Sequence, residues 1–430
     1  AVDIIAENRG KVIDIHKIDS IKEDAKVKEQ LKSGNCIGCF YIESPAMRGL
    51  LKKLRCDNFL SLVAASSIIR PGVARSGMMR QYIQRFHNPG KIEYLHPVMK
   101  EQLAETYGVM VYQEDVLKVC HHFGGLDLAD SDVLRRMMSG KGRYKKQYAE
   151  IVAKFFSNCK ERGYPEHITR EVWRQIESFA GYSFSKAHSA SYAVESYQSL
   201  YLKSHFPKEF MVAVINNFGG FYSTWVYVNE AKKAGARINL PCVNKSLITT
   251  TIYGDELYLG FVHIAKLEEK VRFKILEERL ANGEYISMED FVFRTGISLE
   301  QALILIRIGA LRFTGKGKKN LLWEVHLLLG KAKRTLQPAG MFPLQSGKFI
   351  LPGLVHSKTE DAFDEIEILG FPVTMTYFEM LSQNVEQGIS AKDLGSYAGK
   401  QVKIIGQLVT IKYVFTVKKE ARSIIPAVVH

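Results

Sequence analysis

Two stretches of this 430-residue sequence hold side chains suited to gripping a phosphorylated ligand. The first runs Leu134-Arg135-Arg136-Met137-Met138-Ser139-Gly140-Lys141-Gly142-Arg143-Tyr144-Lys145-Lys146, with six cations in the twelve residues from Arg135 to Lys146. Guanidinium forks bind phosphate oxygens bidentately, and lysines add point charges. On a helix Arg135 and Arg136 point about 100° apart, so one can hold a polyphosphate while the other packs or meets a nucleic-acid strand. The same pattern suits a solvated helix end, where cations complement the dipole. The cluster alone leaves both readings open.

The second stretch is Phe179-Ala180-Gly181-Tyr182-Ser183-Phe184-Ser185-Lys186-Ala187-His188-Ser189-Ala190-Ser191-Tyr192. Its small residues let backbone approach a ligand, Lys186 and His188 supply polar heads, and Tyr182, Phe184 and Tyr192 can flank a base by stacking. A serine-rich start to an apolar helix is equally an ordinary N-cap region, and a lone histidine fills many structural roles. A third candidate, Arg70-Pro71-Gly72-Val73-Ala74-Arg75-Ser76-Gly77, is a rigid turn with two cations that fits a phosphate backbone or merely ends a helix.

Carboxylates offer less. Asp127, Asp130 and Asp132 cluster where a helix opens, which accounts for them. Asp14-Ile15-His16 resembles half a metal site but lies in a polar turn. Two-metal chemistry needs carboxylates converging on cations about 4 Å apart, and neither group is expected to provide that. No GxxxxGK[ST], HExxH or GxSxG motif occurs. Cys36-Ile37-Gly38-Cys39 has CxxC spacing but no second pair, and it sits in an apolar run expected to be a buried strand. The cysteines are expected to be plain thiols of a reducing cytoplasm.

Lys and Arg total 59 against 45 Asp and Glu, a net charge of +14 that favours a polyanionic partner. Apolar residues make up 46%, so most of the chain should fold, and its length suggests two to four domains. No apolar run reaches the roughly 18 residues of a membrane span, so no membrane partner is expected. Neither end resembles a natural terminus, and the chain is expected to be part of a longer protein.

The elements that must position these residues are mainly helical. Two short helices are expected within 1–34, a strand over 35–43 and a helix over 46–69, stopped by Arg70-Pro71-Gly72. Short helices fill 76–122. Asp127 to Met138 carries acids in its first turn and arginines in its last, the pattern of a capped helix. Further helices are expected over 143–161, 165–180, 183–205, 207–217, 222–235, 264–281 and 298–309, with strands near 247–261 around Tyr253-Gly254-Asp255. Residues 333–360 are rich in Gly, Pro and Ser, a linker composition. Residues 400–417 alternate as strands do.

Several words of this sequence, in this order, resemble the alpha subunit of bacterial DNA polymerase III, family C. They are Gly38-Cys39-Phe40-Tyr41-Ile42-Glu43-Ser44, Arg70-Pro71-Gly72, Ser76-Gly77-Met78, Tyr94-Leu95-His96-Pro97, Thr106 through Glu114, Leu134-Arg135-Arg136, Phe179-Ala180-Gly181-Tyr182, Lys186-Ala187-His188-Ser189 and Tyr201 through Met211. The resemblance is near-continuous from about 36 to 245 and weaker beyond. The family usually has Gln where Tyr41 stands, Pro for Val73, Ala-Met-Gly-Lys for Met137-Met138-Ser139-Gly140 and often Asn for Ser185. These departures suit a divergent lineage such as the error-prone branch.

The resemblance implies a mainly α fold, with a multi-helix fingers domain, a small helical DNA-binding domain and a truncated, OB-like β C-terminus. Residues 1–35 would be helices connecting palm to fingers, 36–245 the fingers, 246–332 a helix-hairpin-helix-like region, 333–395 a linker with a clamp-binding peptide, and 396–430 the start of an OB fold. The implied activity is that of a DNA-directed DNA polymerase, a nucleotidyltransferase of bacterial replication. Arg135, Arg136, Lys186 and His188 would bind the incoming deoxynucleoside triphosphate. Arg70, Lys141, Arg143, Lys145, Lys146, Lys316, Lys318 and Lys319 would contact template-primer DNA. Gln337, Met341 and Phe342 fall where a sliding-clamp peptide is found, although Gly340 stands at one of its apolar positions and a solvated linker fits as well. Contacts with other replicase subunits would follow. The parent enzyme would use Mg²⁺ on palm aspartates upstream of Ala1, leaving no catalytic and no metal-binding residue in this chain and an inactive fragment. The competing expectation is a non-catalytic DNA-binding accessory protein or decayed paralogue.

Overall fold

Side-chain caps set many of the helix boundaries. A computed structural model of the chain describes residues 1–69, 76–138, 145–178, 185–330, 357–381, 389, 391–408, 412–415, 421–424 and 427–428. It divides into two units, Ile13–Pro207 and Ala1–Val12 with Lys208–His430. Helix α1, Val2–Arg9, belongs to the second.

The 13–207 unit begins with α2 (Ile18–Glu23) and α3 (Ala25–Ser33). Asp24 separates them: its carboxylate accepts from the Val27 amide at 3.0 Å and starts α3. The expected pair of helices over 1–34 is therefore three. α4 (Pro45–Leu54) has Ser44 as its cap and Pro45 at its first position, where a missing N–H costs nothing. The single helix expected over 46–69 is instead α4 and α5 (Phe59–Ile68). Arg55 adopts φ 48°, the Arg55 amide donates to Lys52 O and the Cys56 amide to Leu51 O, both at 3.1 Å, closing α4 with paired C-terminal bonds usually built on glycine. Asn58 then caps α5. Apolar periodicity runs through the break, which is why the sequence hides it.

The strand expected over 35–43 is absent; the segment is a series of turns. It does belong to the core, since Cys36, Cys39 and Ile42 are fully buried. Its backbone is satisfied by turn bonds, such as the Cys39 amide to Cys36 O at 3.0 Å, and by side chains rather than by a neighbouring strand. α6 (Met78–His87), α7 (Pro97–Gln102), α8 (Gln113–Lys118), α9 (Leu128–Met138), α10 (Lys145–Glu161), α11 (Glu166–Glu177) and the 20-residue α12 (Lys186–His205) complete the unit. α8 runs into a π-helical turn, Val119–Phe123. α12 packs on α2, α3 and α5, and Ser67 Oγ of α5 lies 2.7 Å from Ser189 Oγ of α12.

The second unit adds α13 (Pro207–Asn216) and α14 (Thr224–Lys233), then β1 (Arg237–Asn239), β2 (Thr251–Tyr253) and β3 (Glu256–Tyr258). The sheet order is β1-β3-β2, with Leu257 paired to Ile238 in parallel and to Ile252 antiparallel. α15 (Glu269–Asn282), α16 (Met288–Thr295), α17 (Leu299–Arg307) and α18 (Lys318–Leu329) enclose a core that includes Phe261, Ile275, Phe291, Leu305 and Val325. α16, started by Ser287, has no counterpart among the expected helices. α19 (Lys358–Leu369) lies within the stretch expected to be linker, yet Ile368 joins the core and its carbonyl accepts from the Ala265 amide at 2.9 Å. Beyond it, β4 (Gln407–Leu408) pairs antiparallel with β7 (Ala427–Val428), and β5 (Lys412–Phe415) with β6 (Ala421–Ile424). The whole is mainly helical, with a small amount of sheet. Among the described residues no helix is long and apolar enough to cross a membrane.

Candidate functional site

α12 is the scaffold of the candidate site. Ser185 caps it, accepting from the His188 amide at 3.2 Å, and so sets Lys186 and His188 on the first turn. Further along, polar residues recur at helical spacing and hold the 36–43 turns from beneath. Ser196 Oγ donates to Phe40 O at 3.0 Å, the Phe40 amide donates to Ser199 Oγ at 3.2 Å, and buried Lys203 Nζ donates to Ile37 O at 2.6 Å. These bonds replace the ladder a strand would have used.

Arg135 and Lys186 meet the same short helix, α8. Arg135 Nη1 donates to Gln113 Oε1 at 3.3 Å, and the Lys186 amide donates to Glu114 Oε2 at 3.0 Å. Lys186 Nζ also lies 5.7 Å from the Tyr112 ring centre and is paired to Glu105 at 2.6 Å. α8 is fixed by Asp115, which is buried and accepts from the Val111 and Tyr112 amides at 2.9 and 3.0 Å. Burial outweighs those bonds and pushes its carboxyl up to about 6.

The arginines share Asp132. Arg135 Nη2 and Arg136 Nε each approach it at 2.7 Å, and the Arg135 hydrogen bond is the main cause holding its carboxyl below the ordinary range. Arg136 is 73% exposed, so its charge faces solvent. Asp127 caps α9, and both it and Asp130 hold Lys154, at 3.3 and 2.5 Å. The acidic cluster thus serves three cations. The Asp14 carboxylate accepts from the His16 amide at 2.9 Å, a local turn. Among the described residues no three His, Cys, Asp or Glu side chains gather as metal ligands. With these carboxylates already engaged, the residues here do not fit a resident Mg²⁺.

His188 lies beside an aromatic group. Its ring is 4.1 Å from that of Tyr192, which is 4.8 Å from Tyr41 and 5.3 Å from Phe40. Nothing in the sequence pattern marks Glu105, Gln113 or Phe40 as chemical groups. Tyr41 stands out there only as a departure from the family's glutamine.

The expected DNA contacts fall in both units. Arg70, Lys141 and Arg143 lie outside the described residues, as do Gln337, Met341 and Phe342, while Lys145 and Lys146 open α10. Lys316 pairs with Glu324, Lys319 with Glu360, and Lys318 with Asp361 and Asp364. Lys318, only 15% exposed, ties α18 to α19, and Arg307 of α17 joins it through Asp364 at 2.6 Å. Lys318 is therefore an internal tie more than an open phosphate contact. All six cysteines are buried, and burial pushes the Cys36 thiol up to about 12, which suits packing and not redox use.

Two family models match the chain: the bacterial DNA polymerase III alpha subunit finger domain over residues 1–163, and a helix-hairpin-helix motif over residues 235–321. Arg135 and Arg136 lie within the first, and Lys316, Lys318 and Lys319 within the second. The DNA polymerase III subunit alpha of Aquifex aeolicus (strain VF5) is 33% identical over 390 residues, which cover 89% of this chain and 32% of the relative. That of Staphylococcus aureus (strain MRSA252) is 32% identical over 380 residues, covering 86% and 35%. The chain spans about a third of the length of these curated relatives.

Proposed function

We propose that this chain, which belongs to the bacterial DNA polymerase III alpha subunit family, is the part of a DNA-directed DNA polymerase that holds the incoming deoxynucleoside triphosphate and contacts template-primer DNA. The supporting observation is that Arg135 and Lys186, from distant parts of the sequence, are both anchored on α8. Phosphoryl transfer relies on positioning and charge stabilisation more than on covalent work by the protein. Arginines on α9 and a lysine on the first turn of α12 supply that kind of cationic grip. In the whole protein Mg²⁺ would neutralise charge on the triphosphate, held by carboxylates outside these residues.

The grip is neutralised by the chain's own carboxylates. Asp132 stands against Arg135 and Arg136, and Glu105 against Lys186. A triphosphate would exchange these carboxylates for its own oxygens. That same neutralisation favours the second reading, a DNA-binding accessory protein with no nucleotide site.

The test is equilibrium binding of dATP and of a short duplex to the chain and to its Arg135→Ala/Arg136→Ala variant. Charge-assisted bonds contribute roughly 1.5–3 kcal/mol each, so dATP binding should fall at least about tenfold while duplex affinity changes far less. Equal loss of both, or no loss of dATP binding, overturns the triphosphate role. Duplex binding with no dATP binding by the unaltered chain favours the accessory reading.

A further inference from the structure

Tyr41 has φ 64°, a left-handed conformation that disfavours a bulky side chain. It is one of five such non-glycine residues among those described. Two of the others, Arg55 and Tyr107, directly follow helical segments and terminate them. Tyr41 ends no helix. Its conformation is imposed by neighbours: Phe40 is held at both its amide and its carbonyl by Ser199 and Ser196, and the Gly38 amide donates to Glu43 at 2.8 Å. Strain maintained this firmly at a half-buried residue is a pointer to function.

The ring does not belong to the core. Cys36, Cys39 and Ile42 do the packing, whereas Phe40 is 43% exposed and Tyr41, Tyr192 and His188 are half-buried. These four rings make one contiguous aromatic cluster. Tyr192 meets Tyr41 and Phe40 edge-on, at 70° and 80°. The cluster begins on the first turn of α12 with His188, two residues after Lys186 and about 200° round the helix from it. An aromatic surface of this kind suits a ligand with a flat π-system, such as a nucleobase.

We infer that Tyr41, backed by Tyr192, is a stacking platform for a nucleobase. The inference rests on the nucleotide reading for its location but not for its chemistry, because a base can come from the incoming nucleotide or from a single strand.

The experiment compares binding of dATP, inorganic tripolyphosphate and oligo(dT) to the chain and to its Tyr41→Gly, Tyr41→Phe and Tyr192→Leu variants. Tyr41→Gly suits the left-handed backbone, and its tripolyphosphate binding separates lost stacking from a lost fold. Base–aromatic stacking predicts that dATP binding weakens roughly 5- to 100-fold in Tyr41→Gly. Tripolyphosphate binding should be unchanged and Tyr41→Phe should behave as the parent. A loss confined to oligo(dT) also supports the platform and assigns its base to a single strand. The same oligo(dT) loss, in a parent chain that binds neither dATP nor tripolyphosphate, keeps the platform and sinks the triphosphate reading. Parallel loss of dATP and tripolyphosphate, no loss of any probe, or a parent chain that binds none of the three overturns the platform.

Discussion

Arg135 and Lys186 are anchored by consecutive residues of one helix, Gln113 accepting from the arginine at 3.3 Å and Glu114 from the lysine amide at 3.0 Å. The relationship makes α8 a shared mount for two cation-bearing segments, and its own rigidity then matters to both.

Glu105 pairs with Lys186 at 2.6 Å and would compete with a phosphate for it. Both side chains are about half exposed, so their pairing is weak and screened by salt. Glu105→Gln should tighten tripolyphosphate binding by roughly two- to fivefold at low ionic strength, with the gain vanishing near 0.5 M salt. Titration calorimetry at two salt concentrations measures it. Weaker binding would show that Glu105 positions the lysine and does not merely compete for it.

Asp115 makes the 13–207 unit sensitive to pH. Its folded-state value, about 6, lies above the ordinary 3.8, so its stabilising contribution is greatest below about pH 4 and is lost as pH rises through 6. Asp115→Asn keeps an acceptor for the Val111 and Tyr112 amides without the buried charge. Relative to the parent, the variant should gain roughly 1–3 kcal/mol between pH 4 and pH 7. Urea unfolding across that range checks the sign; a difference that does not vary with pH would contradict it.

Lys203 supports the 36–43 turns from the interior. Lys203→Met would leave the Ile37 carbonyl without the ammonium it accepts from, at a cost of about 1–3 kcal/mol. The urea midpoint should fall, and Cys36 and Cys39 should react faster with a thiol reagent as the turns loosen. An unchanged midpoint would mean that the carbonyl finds other donors.

Lys318 separates structural from DNA-binding roles in the helix-hairpin-helix region. Removing it leaves Asp361 and Asp364 partly uncompensated, so Lys318→Met should lower thermal stability by roughly 1–3 kcal/mol. The slope of duplex affinity against salt should not change, whereas loss of a phosphate contact reduces it by about one. A reduced slope would restore Lys318 as a DNA contact.

Much of the helical layout is legible in the sequence because its determinants are local. Asp127 starting α9, Ser185 starting α12 and Pro207 starting α13 act within three or four residues of themselves. The cationic ends of α9 and α10 and the Lys186–His188 turn can likewise be placed by composition and spacing. What the linear pattern does not carry is partnership. Residues 36–43 have the composition of a strand, yet Ile37 and Phe40 find backbone partners in side chains 156 to 166 residues away on α12. Lys316, Lys318 and Lys319 look alike in the sequence, but α19, itself within the 333–395 region expected to be linker, buries one of them between two aspartates. Tyr41 acquires its aromatic neighbours the same way. Propensity and capping depend on near neighbours along the chain, whereas burial, charge pairing and hydrogen-bond satisfaction depend on which distant segments pack together, and only the tertiary structure decides that.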